Sequence, residues 1–506
     1  MKRYTLLAIT LIFACTTNAQ NSTDGLRYAT DDVIGTARFN GLSGAFGALG
    51  GDFSAIAINP AGSAVFLDNS MSFSFGVSDR KNDSSYFNST AESTASDLNL
   101  NQAGAVFVFT NSSESSQFEK FAIGFNYHTT RNYHDRLYVS GVGNSSIGDF
   151  FLEQAQGISL DLLQLQSGET ISDLYAYLGS AYGAGAQNAF LGYQGYIFDP
   201  VDPTSPQNTQ YLSNISPGSF NHNYESIEDG LNGKYTINFA TQYSDKFYFG
   251  VNLNSHIINF EQSTYLFESN SNPGSYVNQV GFENNLSVLG SGFSAQIGGI
   301  MKVLDYTRIG IALDTPTWYV ISEETTQYLK TNRVENGNSI LEVVNPNVLN
   351  VYEDYNLRTP GKVLVSVAQI FGKKGLLSFD YTYKDYSAIQ FSPKNDAHFS
   401  NENTTISNAL KGASSYRIGG EYRVAQVSLR GGFHFEESPY KNNTTVDDSS
   451  GFSLGLGYNI GNFIMDIAYS RTNQSSSKQL YTIGFTDSAS IDATSDNIIF
   501  SLGFKL

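Results

Sequence analysis

Few residues in this sequence have the type and spacing for chemistry. Of the six histidines (His128, His134, His222, His256, His398 and His434), none forms an i, i+4 pair, so a helical zinc site has no support. His134 precedes Asp135, and His434 stands two before Glu436. A hydrolase could use such pairs to move a proton, but polar strand residues are the commoner explanation. Gly451-Phe-Ser-Leu-Gly455 has the letters of a nucleophile elbow. That motif needs a strand turning sharply into a helix, whereas here it lies inside an alternating stretch with no helix after it. No catalytic residue, metal or cofactor is expected. What remains is cationic: Arg131, Arg136, Arg417, Arg423 and Arg430 could each receive a carboxylate. For the last three a structural network with Glu421, Glu436, Asp380 and Asp466 is the stronger reading, because buried charges are normally paired.

The elements that carry these groups alternate. Phe500, Leu502, Phe504 and Leu506 fall on one face, with Ser501, Gly503 and Lys505 on the other. The same period of two recurs from Met71 to Val77, Phe121 to Tyr127, Tyr235 to Phe239, Phe247 to Leu253, Phe452 to Tyr458 and Phe463 to Tyr469. Successive strand side chains point to opposite faces, so one face is apolar and the other Ser, Gly, Asn and Asp. A soluble sandwich would alternate too. The length of these segments, near the ~9–11 residues of a tilted membrane strand, and the Tyr and Phe at their ends favour a transmembrane barrel.

The connections agree. Short ones (111–118, 244–246, 304–305, 372–374, 424–426, 460–462) alternate with long ones (80–97, 141–230, 261–287, 314–358, 385–412, 437–450, 472–494). Six short and seven long connections join about fourteen strands, an even number with periplasmic turns and extracellular loops. The reading is all-β: an antiparallel transmembrane β-barrel in the outer membrane of a Gram-negative bacterium, surrounded by lipid. Arg417, Glu421, Arg423, Arg430, His434, Glu436, Asp380, Lys384 and Asp466 then face the lumen, since Arg on the lipid face would cost ~2–4 kcal/mol at mid-membrane.

Composition narrows the rest. The 506 residues carry 29 Lys and Arg against 47 Asp and Glu, net −18, which argues against a nucleic-acid partner. Only 15% are charged and 14% are aromatic, too apolar for disorder and too poor in charge for an ordinary soluble enzyme. Lys2, Arg3, the apolar run 4–14 and the small residues 17–19 read as a signal peptide over 1–19. Cys15 could be a lipidation site, but Phe13 stands where such signals carry a smaller residue. It is read as an h-region cysteine lost with the leader.

Residues 20–69 do not alternate. They hold Phe39, then Gly41, Gly44, Phe46, Gly47, Gly50 and Gly51, then Asn59-Pro60-Ala61-Gly62. Glycine lets backbone approach other surfaces closely, and such a segment suits a plug in the lumen of a barrel formed by 70–506. The stretch 141–230 is far longer than ordinary loops. It has helical apolar spacing at Phe151, Ala155, Ile158, Leu162 and Leu165, then at Ile171, Leu174, Tyr175 and Leu178. Such helices could offer apolar surface to a ligand, or pack on one another as a cap.

The Gly41–Phe46 stretch and Asn59-Pro60-Ala61-Gly62 resemble the N-terminal hatch of the FadL/TodX-type outer-membrane transporters of fatty acids and other hydrophobic compounds. Arg358-Thr-Pro360, Leu377–Tyr381, Tyr416–Tyr422, Leu429–Phe433 and Gly455–Tyr458 continue the resemblance along nearly the whole mature chain. It implies a fourteen-stranded monomeric barrel, a hatch gated at Phe46, Gly47, Asn59, Pro60, Ala61 and Gly62, and capture of a hydrophobic ligand by a helical outer loop. Passage is passive and sideways, through a gap at a kinked strand, usually the third. Long-chain fatty acids are the expected ligand, with Phe151, Leu162, Leu174, Tyr175 and the five arginines as candidate contacts. The longer loops and the terminal Leu506 depart from the family pattern. Two other functions stay open: a binding or scaffold barrel for secretion or surface partners, and a general porin.

Overall fold

The computed structural model describes residues 22–113 and 115–506. The leader expected over 1–19, with Cys15, lies outside the described residues. Fourteen antiparallel strands close into a ring. They are β1 Ser70–Tyr86, β2 Ser89–Thr110, β3 Phe118–Asn132, β4 Phe220–Tyr243, β5 Phe247–Asn270, β6 Val277–Leu304 and β7 Thr307–Asp314. The second half comprises β8 Lys362–Ile370, β9 Gly375–Asp385, β10 Gly412–Val424, β11 Val427–Glu436, β12 Val446–Ile460, β13 Phe463–Gln479 and β14 Ser488–Lys505. Each pairs with the next. β14 returns to β1 from Ser70↔Lys505 to Ser85↔Ser490, so the ring closes and the sheet has no free end strand.

The outward face carries the apolar half of the alternation. Phe73, Phe75, Phe125, Ile237, Phe249, Val251, Ile311, Val365, Phe433, Leu454 and Phe500 are all exposed there, while their neighbours Ser74, Asn126, Asn238, Asn252, Ser366 and Ser501 are buried. The six short turns fall where expected, at 111–117, 244–246, 305–306, 371–374, 425–426 and 461–462.

The long connections are shorter than the sequence suggests, because strands run on past the apolar band. The stretch 80–97 is a continuous hairpin, Arg80↔Ala95 to Tyr86↔Ser89. β13 and β14 likewise stay paired out to Gln479↔Ser488. Above the lipid the outward positions turn to Ser, Thr, Asn and Asp, so the period of two disappears although the ladder continues. The part of the 141–230 stretch outside the barrel strands narrows accordingly, since the strand Asp135–Gly143 ends at Gly143 and β4 begins at Phe220; between them only the small pair Phe198–Pro200 and Tyr211–Ser213 is extended.

Four strands are interrupted. β3 resumes as Asp135–Gly143, β7 resumes as Thr317–Glu335, β8 is preceded by Tyr355–Thr359, and β9 ends in the 3-10 turn Tyr386–Ala388 before Gln390–Ser392. Pro316 and Pro360 stand at two of these breaks, where a missing N–H ends a ladder.

The interior is layered, as β5 shows. Leu266 joins an outer core with the helices α4 Ile147–Ala155, α5 Ile171–Tyr182 and α6 Ala184–Gln194. Ile258 and Phe260 join a middle layer with Leu26, Tyr28 and Tyr133. Tyr248 packs on Ala61 and Ala64 near the periplasmic turn. α4 is seated on the wall by Glu268, whose carboxylate accepts from Ile147 N–H (2.7 Å) and Ser146 Oγ (2.6 Å) at the helix N-terminus, where negative charge is favoured.

Candidate functional site

Residues 22–66 touch strands all round the ring and therefore lie inside it. Helix α1 Ser22–Arg27 joins the middle layer; α2 Ala37–Asn40 contacts β12, β13 and β14. α3 Phe53–Ile58 contacts β2 and β3, and the 3-10 turn Pro60–Val65 contacts β3 to β6. Three of these elements are started by a polar side chain: Thr36 accepts from Phe39 N–H, Asp52 from Ser54 N–H and Asn59 from Ala61 N–H.

The wall receives this segment on glycines. A Cβ on Gly250 would lie 2.3 Å from the Pro60 carbonyl carbon, and one on Gly298 would lie 2.1 Å from Asn59 Oδ1. Asn59 is fully buried. Its Nδ2 donates to Gly47 O (2.7 Å) and to Gly299 O of the wall (3.1 Å), tying two parts of the segment to β6. Asp380 accepts from the N–H groups of Phe46 (2.9 Å) and Gly47 (2.8 Å), and Asn238 Nδ2 donates to Pro60 O (2.9 Å). Phe46 is buried on Phe39, with the Arg38 guanidinium 5.3 Å from its ring. Arg38 pairs with Glu421 (3.0 Å), Glu421 with Arg430 (2.7 Å), and Arg430 with Asp466 (2.6 Å).

On the outer side of these contacts lies a narrow chamber of about 80 Å³. Ile34, Phe39, Ala57 and Ile58 line it from the segment, and His128, Lys234, Lys362, Lys384 and Arg417 from the wall. The segment sends Asp31 into it, with Oδ2 3.4 Å from Lys362 Nζ and 3.9 Å from Lys384 Nζ. Burial pushes the Asp31 carboxyl up, but Lys384, Lys362 and Lys234 outweigh it and hold the group well below the usual carboxylate range.

The chamber reaches the wall at Thr130. Here the β2–β3 ladder stops, its last pair being Gln102↔His128. Asn101 is skipped in the β1–β2 register, and Thr130 in the β3–β4 register. Beyond this point β3's continuation crosses the inner face of the β1–β2 hairpin. It is held there by side chains: Thr129 Oγ1 to Leu100 O (2.7 Å), Ser93 Oγ to Arg136 O (2.7 Å) and Ser84 Oγ to Tyr138 O (2.7 Å). Leu98 and Leu100 are exposed beside this seam. Asp32 is docked into it, its N–H donating to Thr130 O (2.8 Å) and its Oδ2 accepting from Asn132 N–H (3.3 Å).

The residues singled out from sequence separate into groups. Phe46, Gly47, Asn59, Pro60, Ala61 and Gly62 all sit in the buried contact with the wall. Phe151, Leu174 and Tyr175 are buried in the outer core, and Leu162 packs on it, so these helices turn their apolar faces to one another and to the wall. Arg423 and Arg430 are held by Glu421 and Asp466, as the network reading expected. Arg136 is an exposed partner of Glu225, and Arg131 stacks 5.5 Å from the Tyr133 ring beside the seam. Only Arg417 of the five lines the chamber, its Nε buried without a partner. Lys384 is lumen-facing by strand parity, but Lys234, Lys362 and the Asp31-Asp32 pair were not anticipated. The one available signal was an acidic doublet in a segment otherwise poor in charge.

These features define a class: an outer-membrane-type β-barrel, with an N-terminal segment packed on inward positions of its strands and a backbone ladder that stops part-way between β2 and β3. No protein-family model matches the chain, and no curated protein matches it in sequence. Solved structures do. The Pseudomonas putida toluene transporter TodX is 11% identical, with 94% of this chain and 99% of that one covered and a TM-score of 0.52. A Pseudomonas aeruginosa FadL homologue is 13% identical over the same shares, also with a TM-score of 0.52. The fold is that of the FadL/TodX-type transporters.

Proposed function

We propose that this chain is a passive outer-membrane conduit for hydrophobic molecules, with long-chain fatty acids the leading ligand. Residues 20–69 act as the hatch and the β2–β3 seam as the lateral way out. The observation that carries this reading is one coincidence. The wall loses its backbone ladder beside the chamber, and the hatch residue Asp32 occupies the carbonyl and amide left there. Moving the hatch would free the seam, and the exposed Leu98 and Leu100 would let an apolar molecule pass into lipid without crossing a polar rim. Burial of an acyl chain favours this route by ~0.8 kcal/mol per CH₂. The filled lumen favours the reading over a general porin, and the neighbours named above are transporters or their homologues rather than enzymes.

The test is uptake of labelled oleate by cells lacking their own fatty-acid porin, with and without this protein, beside a small polar solute. Oleate uptake should rise alone. Rise of the polar solute instead would make the protein a porin. Movement of neither, with the barrel correctly inserted, would overturn fatty-acid transport and favour a scaffold role.

A further inference from the structure

The fourteen-strand ring closes, but a strand added outside the lipid does not. The β7 continuation Thr317–Glu335 pairs with β6 on one side, from Trp318↔Phe293 to Arg333↔Val277. On its other side it takes up Tyr355–Thr359, Asn350–Val351 and Asn338–Val344 in turn. Tyr355–Thr359 pairs onward with Gln390–Ser392, whereas Asn338–Val344 pairs with no other strand among the described residues. This edge stands in water. Val320 is the last exposed apolar residue before it on the β7 continuation, and the edge begins to pair only at Leu329, ~30 Å farther along at ~3.3 Å per residue.

The hairpin fixes which backbone groups of this strand are free. Asn336 and Gly337 both have positive φ, 50° and 80°, as in the two-residue turn that matches strand twist. Glu335↔Asn338 is then the closing hydrogen-bonded pair. Alternation from there turns the N–H and C=O of Ser339, Leu341 and Val343 away from β7. None of these groups meets another backbone partner among the described residues. Leu341 is 65% exposed and Val343 44%, and the exposed Leu349 and Val351 continue the strip. Edge strands are usually blunted by lysine, proline or a bulge. Asn338-Ser-Ile-Leu-Glu-Val-Val344 has none of these.

A free row of donors and acceptors suits an extended chain, and the charge around it selects the kind. From Asn338 to Asp354 the sequence holds Glu342, Glu353 and Asp354 and no cation. A second copy fits badly, because two barrels upright in one membrane would bring their edges together parallel, acid against acid. We propose that Ser339–Val343 is a β-addition site for an extended segment of another extracellular polypeptide. Apolar side chains of that segment fall opposite Leu341 and Val343, and a lysine or arginine falls opposite Glu342. The site lies outside the lumen, so it adds a binding activity to the conduit reading without depending on it.

The test uses the full-length barrel in a neutral detergent, with a labelled peptide of alternating Val and Lys as the probe. A second peptide of the same sequence is N-methylated at its valines. It keeps the charge but lacks the N–H groups that would bond Leu341 and Val343. The methylated peptide should bind at least ~10-fold more weakly, the scale of two lost hydrogen bonds. V343P should weaken the plain peptide ~10-fold, because proline removes an outward N–H and takes none from the ladder to β7. Protected amides at Leu329, Thr331 and Arg333 will show that the V343P hairpin is intact; if they are lost, the methylated peptide decides alone. Hydrogen exchange at 339, 341 and 343 should slow when the plain peptide binds. Equal binding of both peptides, or indifference to V343P with its hairpin intact, reduces the contact to charge attraction and overturns the inference. Absence of binding by the plain peptide overturns it as well. Self-association of the native barrel that V343P abolishes would give the edge to a second copy and overturn the proposed partner.

Discussion

Asn59→Ala should loosen the hatch while leaving the barrel intact. Four contacts go at once. Nδ2 leaves Gly47 O (2.7 Å), Gly299 O (3.1 Å) and, more weakly, Ile311 O (3.4 Å), and Oδ1 no longer caps the Pro60–Val65 turn at Ala61 N–H (3.1 Å). Leaving a buried carbonyl unpaired costs about 1–3 kcal/mol, and losing a cap about 1. Taking the low end of that range for each carbonyl, these weaken docking by about 3–4 kcal/mol, or roughly 10²–10³-fold at 1.4 kcal/mol per tenfold. None of this falls on the strand ladders, so the folded barrel should persist. Hydrogen exchange read segment by segment gives the number directly, because local opening has its own free energy. Amides 46–64 should exchange roughly 10²–10³-fold faster while those of β12 to β14 stay as protected as before, and oleate flux should rise. Unchanged protection at 46–64 would refute the claim that Asn59 holds the hatch. Strand amides that quickened equally would refute the separation of hatch from wall.

Other outcomes follow from the same contacts. Gly250→Ala places a methyl 2.3 Å from the Pro60 carbonyl carbon, so the barrel should insert with residues 60–65 undocked and open to added protease. A disulfide between D32C and T130C should stop oleate flux, and a reductant should restore it; flux through the oxidised form would remove the seam from the path. The lowered Asp31 carboxyl stabilises docking at pH above its unfolded value, about 3.9, and loses that contribution only as pH falls through its depressed folded value. Protection at residues 29–34, corrected for the intrinsic pH dependence of amide exchange, should therefore be flat between about pH 5 and pH 8 and fall only in strong acid; a midpoint near neutrality would show that the lysines do not hold this carboxyl.

What the sequence made legible was set by lipid. Where an outward residue meets hydrocarbon, as at Phe73, Phe249 or Phe500, the alternation is strong, and the strands and short turns could be read from it. Where the same strand rises into water, the outward positions lose that constraint, and the 80–97 hairpin looks like a loop. α6 and α7 Ala397–Ala409 escaped for different reasons: α6 is buried on most sides and has no apolar stripe, while α7 is rich in Asn, Ser and Thr. The close packing of the N-terminal segment on the wall was signalled by its glycines, and the Arg430 network by the parity of β10 to β13. The lysine pair could not be seen, because its meaning lies in register. Lys362 and Lys384 are 22 positions apart in sequence and become neighbours only once β8 and β9 are aligned.

The four strand interruptions give the barrel an unusual mechanical character. An unbroken hydrogen-bonded cylinder is stiff along its length, so a distortion at one rim is felt at the other. Here the breaks at Tyr133–His134, Thr315–Pro316, Pro360–Gly361 and Tyr386–Ala388 border the chamber and the apolar layer just outside it. They are local breaks, because β4, β5 and β6 run unbroken past the same level. Any give in the wall is thus confined to the interrupted strands, which leaves the rest of the cylinder to keep its register.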